Sequence, residues 1–365
     1  MRLLHLADLH LDRAFGGLAF TGCDGSRRRT LLRNALEWAV DTAERERADA
    51  LTIGGDLFEL EHVTADTVAF ITRQLGRLSC PVVIAAGNHD AAAAASPYRV
   101  APWPANVVLC LEAKPTSVQL GEAVLVGIGY TGKDLDASVL DRLPPRADET
   151  RTRLLLVHGV DLDSVPTDFR WGGLGLRAAD LDRHGFDHAL LGHVHAGHAG
   201  ARMSWPGTPV PLDPSETAGL HGAIWVDVRE GEVTITPLAS DLARFETISI
   251  DVTEIADSSE LSTAVGAALE PLRASAALVT LRLWGRHGKS LLVDGPSLAA
   301  HWCDSVLGIN VVDATVTEVD LQELAREPTA RGTAISRLLN DGSASALWAA
   351  ALVAEAFEGD LRVPA

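Results

Sequence analysis

The residues in this chain best suited to chemistry fall in five short clusters: Asp8-Leu9-His10, Gly54-Gly55-Asp56, Gly87-Asn88-His89-Asp90, His158-Gly159 and Gly192-His193-Val194-His195. Carboxylate and amide oxygens suit hard divalent cations, Mn2+ and Fe2+ also accept imidazole, and a pair of such ions needs a carboxylate to bridge them. Asp56 follows two glycines that let the backbone turn tightly, which makes it the candidate bridge. Asn88 offers a neutral amide oxygen. His89 offers a proton or positive charge to a leaving group, and Asp90 is read as the group that orients it. His193 and His195, at i and i+2, can serve two adjacent ions. The inventory fits a dinuclear metal centre.

Such side chains need rigid elements to bring them together. Each cluster follows a short apolar run, namely Leu3 to Leu6, Ala50 to Ile53, Val82 to Ala86, Leu154 to Val157 and Ala189 to Leu191, and these read as buried strands. Between the first two, Leu32, Ala35, Leu36, Ala39, Val40 and Ala43 recur at helical spacing and predict a helix packed on the sheet. Ligands of α/β sheets bind beyond the carboxyl ends of the strands, so the five clusters are expected to converge on one mouth. A lone Asp or His is more often a helix cap or a satisfied core group than a ligand. Five ordered clusters after five strands outweigh that ordinary reading.

In this order the motifs resemble the calcineurin-like metallophosphoesterase superfamily over roughly the first 200 residues. Within it, Ala-Asp-Leu-His-Leu-Asp at 7 to 12, Gly-Asp-Leu-Phe-Glu at 55 to 59 and Trp205-Pro206-Gly207-Thr208-Pro209 resemble the SbcD-type DNA-repair exonucleases and their YhaO-like branch. The resemblance implies an α/β fold: a layered αββα sandwich over 1–240, a small α/β capping domain over 241–325 and a C-terminal helical segment over 326–365. It implies one cation held by Asp8, His10 and His195 and a second by Asn88, His158 and His193, with Asp56 bridging and His89 as acid. The ions expected are manganese first, with magnesium, iron or zinc as alternatives. The implied reaction is hydrolysis of a DNA phosphodiester by a repair-type exo- or endonuclease, and the alternative is a small-molecule or cyclic-nucleotide phosphodiesterase. The partners implied are DNA, an SbcC-like coiled-coil ATPase and a second copy of the chain. Two departures stand out: Glu59 replaces the histidine or aspartate of some relatives, and the alanines at 91 to 95 replace a common Ser-Pro.

The rest of the chain sets bounds. A formal charge of −18 disfavours a broad nucleic-acid footprint, because non-specific affinity comes mainly from Lys and Arg on phosphates, so any such contact is local or shared with a partner. No apolar run is long enough to span a bilayer, and the opening residues meet Asp8 too soon for a signal-peptide core; a cytoplasmic protein is expected. Cys23, Cys80, Cys110 and Cys303 are scattered as reduced thiols would be. Arg27-Arg28-Arg29 reads either as a phosphate grip or as a solvated basic turn. Trp103, Trp171 and Trp205 read as packing residues rather than base-stacking platforms, and His5 and His188 as ordinary core or surface histidines. Past residue 240, strands at 245–252, 278–283 and 311–319 alternate with helices at 260–272 and 296–306 as a small βαβαβ unit. The apolar stretch from Leu347 to Phe357 belongs to a helical hairpin that invites a docking partner.

Overall fold

The computed structural model describes residues 1–365 except 17–19, 147–150, 166–172, 218, 319 and 359–365, so Trp171 and Val319 lie outside the described residues. Two compact units are present. The larger comprises residues 1–246, 274–279 and 306–308. Its first sheet runs Glu232–Ala239, Gly222–Arg229, Arg2–Leu6, Ala50–Ile53, Val82–Ala85, Val107–Cys110, the last four strands parallel and the first two joined antiparallel. The second runs His198–Ala199, Met203–Trp205, His188–Gly192, Thr152–Asp161, Ala123–Ile128, Thr116–Leu120, with Leu174–Leu176 paired to the long strand Thr152–Asp161.

Side-chain alternation explains why the sheets stack. Successive residues of a strand point to opposite faces, so a run apolar at every position must be covered on both sides. Leu3, Val83, Ala85, Leu154, Leu156 and Leu190 meet in one cluster between the sheets. Leu4, Leu6, Val82 and Ile84 face the other way, onto Leu32, Leu36 and Val40 of the helix Gly25–Arg45 and Phe70 and Ile71 of the helix Ala65–Leu75. Leu155 and Val157 pack outward against Leu181 and Phe186, around the short helix Ala178–His184. The layers are therefore helix, sheet, sheet, helix. Each fully buried Leu or Val contributes about 1.5–3 kcal/mol from removal of apolar surface from water. The strands Val107–Cys110, Thr116–Leu120 and Ala123–Ile128 lie where the sequence reading assigns no element.

Local signals set the helix starts. Asp24 caps the helix Gly25–Arg45 by accepting from Arg27 N, and Thr64 caps Ala65–Leu75 by accepting from Thr67 N. The second unit comprises 247–273, 280–305 and 309–365. It is built on the greater part of the sheet Arg244–Asp251, Ala277–His287, Gly308–Thr317, with helices Ser258–Leu269 and Gly295–Trp302 in the two connections. The later helices Ala330–Asp341 and Ala344–Glu358 enclose Leu324, Ile335, Ala350 and Ala354, while Leu347, Trp348 and Phe357 stay exposed. Among the described residues no helix is long and apolar enough to cross a membrane, and the four cysteines are free thiols.

Candidate metal centre

Strand pairing continues past the strand ends and builds the floor of the site. Asp8 N donates to Gly55 O, His10 N to Asp56 O and Leu11 N to Leu57 O, so the first two loops run side by side. Asp8, His10, Asp12, Asp56 and His193 all take positive φ, from 46° to 98°. Non-glycine residues rarely adopt this conformation, and its cost of roughly 1 kcal/mol or more at each is typical of backbone held to a function. Gly55, at φ +94°, also leaves room for a ring: a Cβ there would sit 2.6 Å from His158 Nδ1.

The loops bring the ligand candidates together. Atoms of Asp8, His10 and His195 lie within 4.8 Å of one another, as do atoms of Asp8, Asp56 and His158. His193 Nδ1 stands 3.2 Å from His158 Nε2, and the His193 backbone N–H donates to both Asp8 oxygens at 2.9 and 3.0 Å. Asn88 Oδ1 is buried with no hydrogen-bond partner among the described residues, an orphan acceptor of the kind a cation would satisfy. His89 N donates to Asp56 Oδ1 at 2.9 Å, which ties the third cluster to the second.

The ring nitrogens supply the test of fit. His10 Nδ1 lies 2.9 Å from Glu59 Oε1, and His195 Nδ1 lies 2.7 Å from Glu216 Oε1. A carboxylate only accepts, so each Nδ1 carries the hydrogen and each neutral ring keeps a lone pair on Nε2. Those two Nε2 atoms face each other at 3.2 Å, with Asp56 Oδ2 3.6 Å from that of His10. His158 repeats the pattern: Nδ1 donates to Gly54 O at 2.8 Å, and Nε2 faces Asp56 Oδ2 at 3.2 Å. Lone pairs aimed at lone pairs and at a carboxylate need positive charge between them. Burial lowers the pKa of His158, yet Asp56 and Asp8 raise it to about 9. Burial opposes charge on His195 as well, and Glu216 outweighs it. A divalent cation meets the same demand, and carboxylates or carbonyls on the far ring nitrogens are the usual support of metal-binding imidazoles. The donor set fits a metal pair.

Other residues take positions that spacing alone does not reveal. Asp90 is turned away from His89: Oδ1 accepts from Gly87 N at 2.6 Å, and Oδ2 accepts from Leu57 N at 2.7 Å and Tyr98 OH at 2.6 Å. The orienting role read for it from sequence is corrected, because this fully buried carboxylate is consumed in pinning the second and third loops. Burial and the charge of Asp56 push Asp90 up to about 6, against the three donors. The partner of His89 is Glu59, whose Oε2 lies 2.8 Å from His89 Nδ1. Glu59 signals itself in sequence only as a departure from a motif; Glu216 carries no signal. Arg28 is neither a phosphate grip nor a solvated turn: it is buried, lies 3.9 Å over Phe15 and donates to Leu212 O, while Leu212 N donates to Glu216 Oε2. His5 bonds Thr52 Oγ1 and Leu191 O inside the core, and His188 bonds Ser204 Oγ. Trp103 stacks on Tyr98, and buried Trp205 donates to Ala196 O.

A model of the calcineurin-like phosphoesterase family matches residues 1–197. The chain is similar to the uncharacterised metallophosphoesterase YhaO of Bacillus subtilis, 25% identical over 298 residues, which are 78% of this chain and 71% of that protein. It is also similar to the SbcD component of the SbcCD nuclease of Escherichia coli, 31% identical over 97 residues, 26% of this chain and 22% of that one. A third similarity is to the DNA double-strand break repair protein Mre11 of Saccharolobus solfataricus, 26% identical over 207 residues, 53% of this chain and 49% of that one. The matched parts thus span about a fifth to a half of these two DNA-related proteins.

Proposed function

Because the chain belongs to the calcineurin-like phosphoesterase family, whose members are metal-dependent hydrolases of phosphoesters, we propose that it hydrolyses DNA phosphodiester bonds as a cytoplasmic repair-type nuclease. The observation that carries the hydrolytic reading is the facing pair of Nε2 atoms of His10 and His195, each ring held by a carboxylate on its other nitrogen. The nuclease and break-repair names of two relatives support DNA as substrate.

Asp8, His10 and His195 would hold one cation, Asn88, His158 and His193 the other, and Asp56 would lie between them. Manganese is the ion expected. A pair of divalent cations bound there would supply Lewis acidity and an activated water. The protein's own part is to position and to move protons. By accepting a hydrogen bond from His89 Nδ1, Glu59 raises the pKa of His89 against the desolvation of its half-buried ring, so the imidazole stays protonated nearer neutral pH. That proton is available to the departing oxygen. Arg13, 3.3 Å from Glu59 Oε1 and one-third exposed, adds positive charge at the mouth for a phosphate. The exposed Leu347 and Trp348 are the proposed docking surface for an SbcC-like coiled-coil ATPase.

The charge of −18 favours a second reading, a small or cyclic phosphodiester as substrate, since such a molecule needs no broad basic surface. Calorimetric titration with Mn2+ tests the centre: two ions per chain are expected, and none would refute it. Competing a labelled oligonucleotide against a cyclic nucleotide separates the substrates, and turnover of the cyclic nucleotide alone would replace the DNA reading.

A further inference from the structure

Glu59 touches two parts of the site at once. Oε1 accepts from His10 Nδ1 at 2.9 Å and from Arg13 at 3.3 Å, while Oε2 accepts from His89 Nδ1 at 2.8 Å. The two rings meet edge to face with centroids 4.9 Å apart. Its side chain is 14% exposed, whereas that of His89 is 42% exposed and free to turn without a partner. The backbone is stitched to both neighbours: Glu59 N donates to Leu11 O, and Leu60 N donates to His89 O. The three side chains could also be taken for a further cation site, but Nδ1 of each ring carries the hydrogen it donates to Glu59 and so has no lone pair to offer an ion.

We propose that Glu59 is a positioning residue that sets the tautomer and orientation of His10 and the orientation of His89 together, so that each ring presents Nε2 to the site. This rests on the phosphodiesterase reading and deepens it. The chemistry requires this side chain in particular. Two Nδ1–H donors need two acceptor oxygens, which a carboxylate has. Glutamine has one acceptor oxygen and an NH2 group, so it satisfies one ring and leaves the other facing a donor. Aspartate is one methylene shorter and cannot span both rings from the same backbone position. The ligand and the proton donor are thereby held in register by one group.

The experiment compares wild type with E59Q and E59D at saturating Mn2+ on two diesters, bis-p-nitrophenyl phosphate and diphenyl phosphate. A weakly basic leaving group needs little protonation and a more basic one needs a correctly placed acid. Both variants are therefore expected to lose about 30-fold in kcat on diphenyl phosphate and only a few-fold on the nitrophenyl diester. Loss on neither substrate, or equal losses on the two with Mn2+ affinity unchanged, would overturn the proposal. The 15N spectrum of the histidine rings gives a readout that needs no turnover: wild type should show Nδ1–H forms for His10 and His89, with one ring changed in E59Q. Unchanged ring nitrogens would also overturn it. A wild-type protein that cleaves neither diester would sink the phosphodiesterase reading, and the ring spectrum would still decide the role of Glu59.

Discussion

His89→Ala removes the proposed proton donor while leaving the ligand set intact, so turnover of a diester with a poor leaving group should fall about 10²–10⁴-fold with Mn2+ binding retained. Steady-state rates beside calorimetric titration check this, and loss of metal together with activity would show that His89 is instead part of the metal support. At the scale of single residues much of the candidate site was legible, because Asp8, His10, Asp56, Asn88, His158, His193 and His195 each follow a strand-like run at a spacing that aims them forward. What could not be read was who holds whom. Glu216 reaches His195 from a loop twenty-one positions later, and Asp90 sits beside His89 in sequence yet bonds Gly87, Leu57 and Tyr98. Such partners are fixed by tertiary proximity, which a linear pattern does not encode.

The strands make their own prediction, because His188 is a buried neutral histidine joining His188–Gly192 to Met203–Trp205 through Ser204. Burial lowers its pKa from 6.5 to about 4. The folded state therefore binds fewer protons than the unfolded chain between those values. The stability associated with this group is full above 6.5 and is lost as pH falls toward 4. Between pH 7 and pH 5 the loss should be about 2 kcal/mol, and His188→Gln should remove that part of the pH dependence. Urea unfolding at the two pH values measures it, and an equal slope in the variant would contradict the burial argument. Among the elements, the strands that deliver ligands were legible because each mainly apolar run ends in a cluster of candidate ligands. Val107–Cys110, Thr116–Leu120 and Ala123–Ile128 were not, since the first and third are equally apolar but end in no ligand cluster, and Thr116–Leu120 alternates covered and exposed positions.

At the scale of the whole molecule, hydrolysis and partner binding should be separable. Deleting 329–365 removes the helices Ala330–Asp341 and Ala344–Glu358 but none of the candidate ligand residues. The truncated chain should hydrolyse bis-p-nitrophenyl phosphate at near the full rate and lose most of its association with an SbcC-like ATPase in a pull-down. Undiminished pull-down would refute the docking role. The apolar sequence from Leu347 onward pointed to an unpartnered face, and exposed Leu347, Trp348 and Phe357 agree with that pattern. The central proposal, that the chain cleaves DNA with Asp56 among the residues that would hold its cations, is tested most directly by manganese-dependent degradation of end-labelled single- and double-stranded DNA beside bis-p-nitrophenyl phosphate, with wild type and Asp56→Asn in parallel. The account predicts that wild type cleaves DNA and the diester and that the variant cleaves neither; wild-type rates in the variant, or intact DNA under the wild-type enzyme, would contradict it.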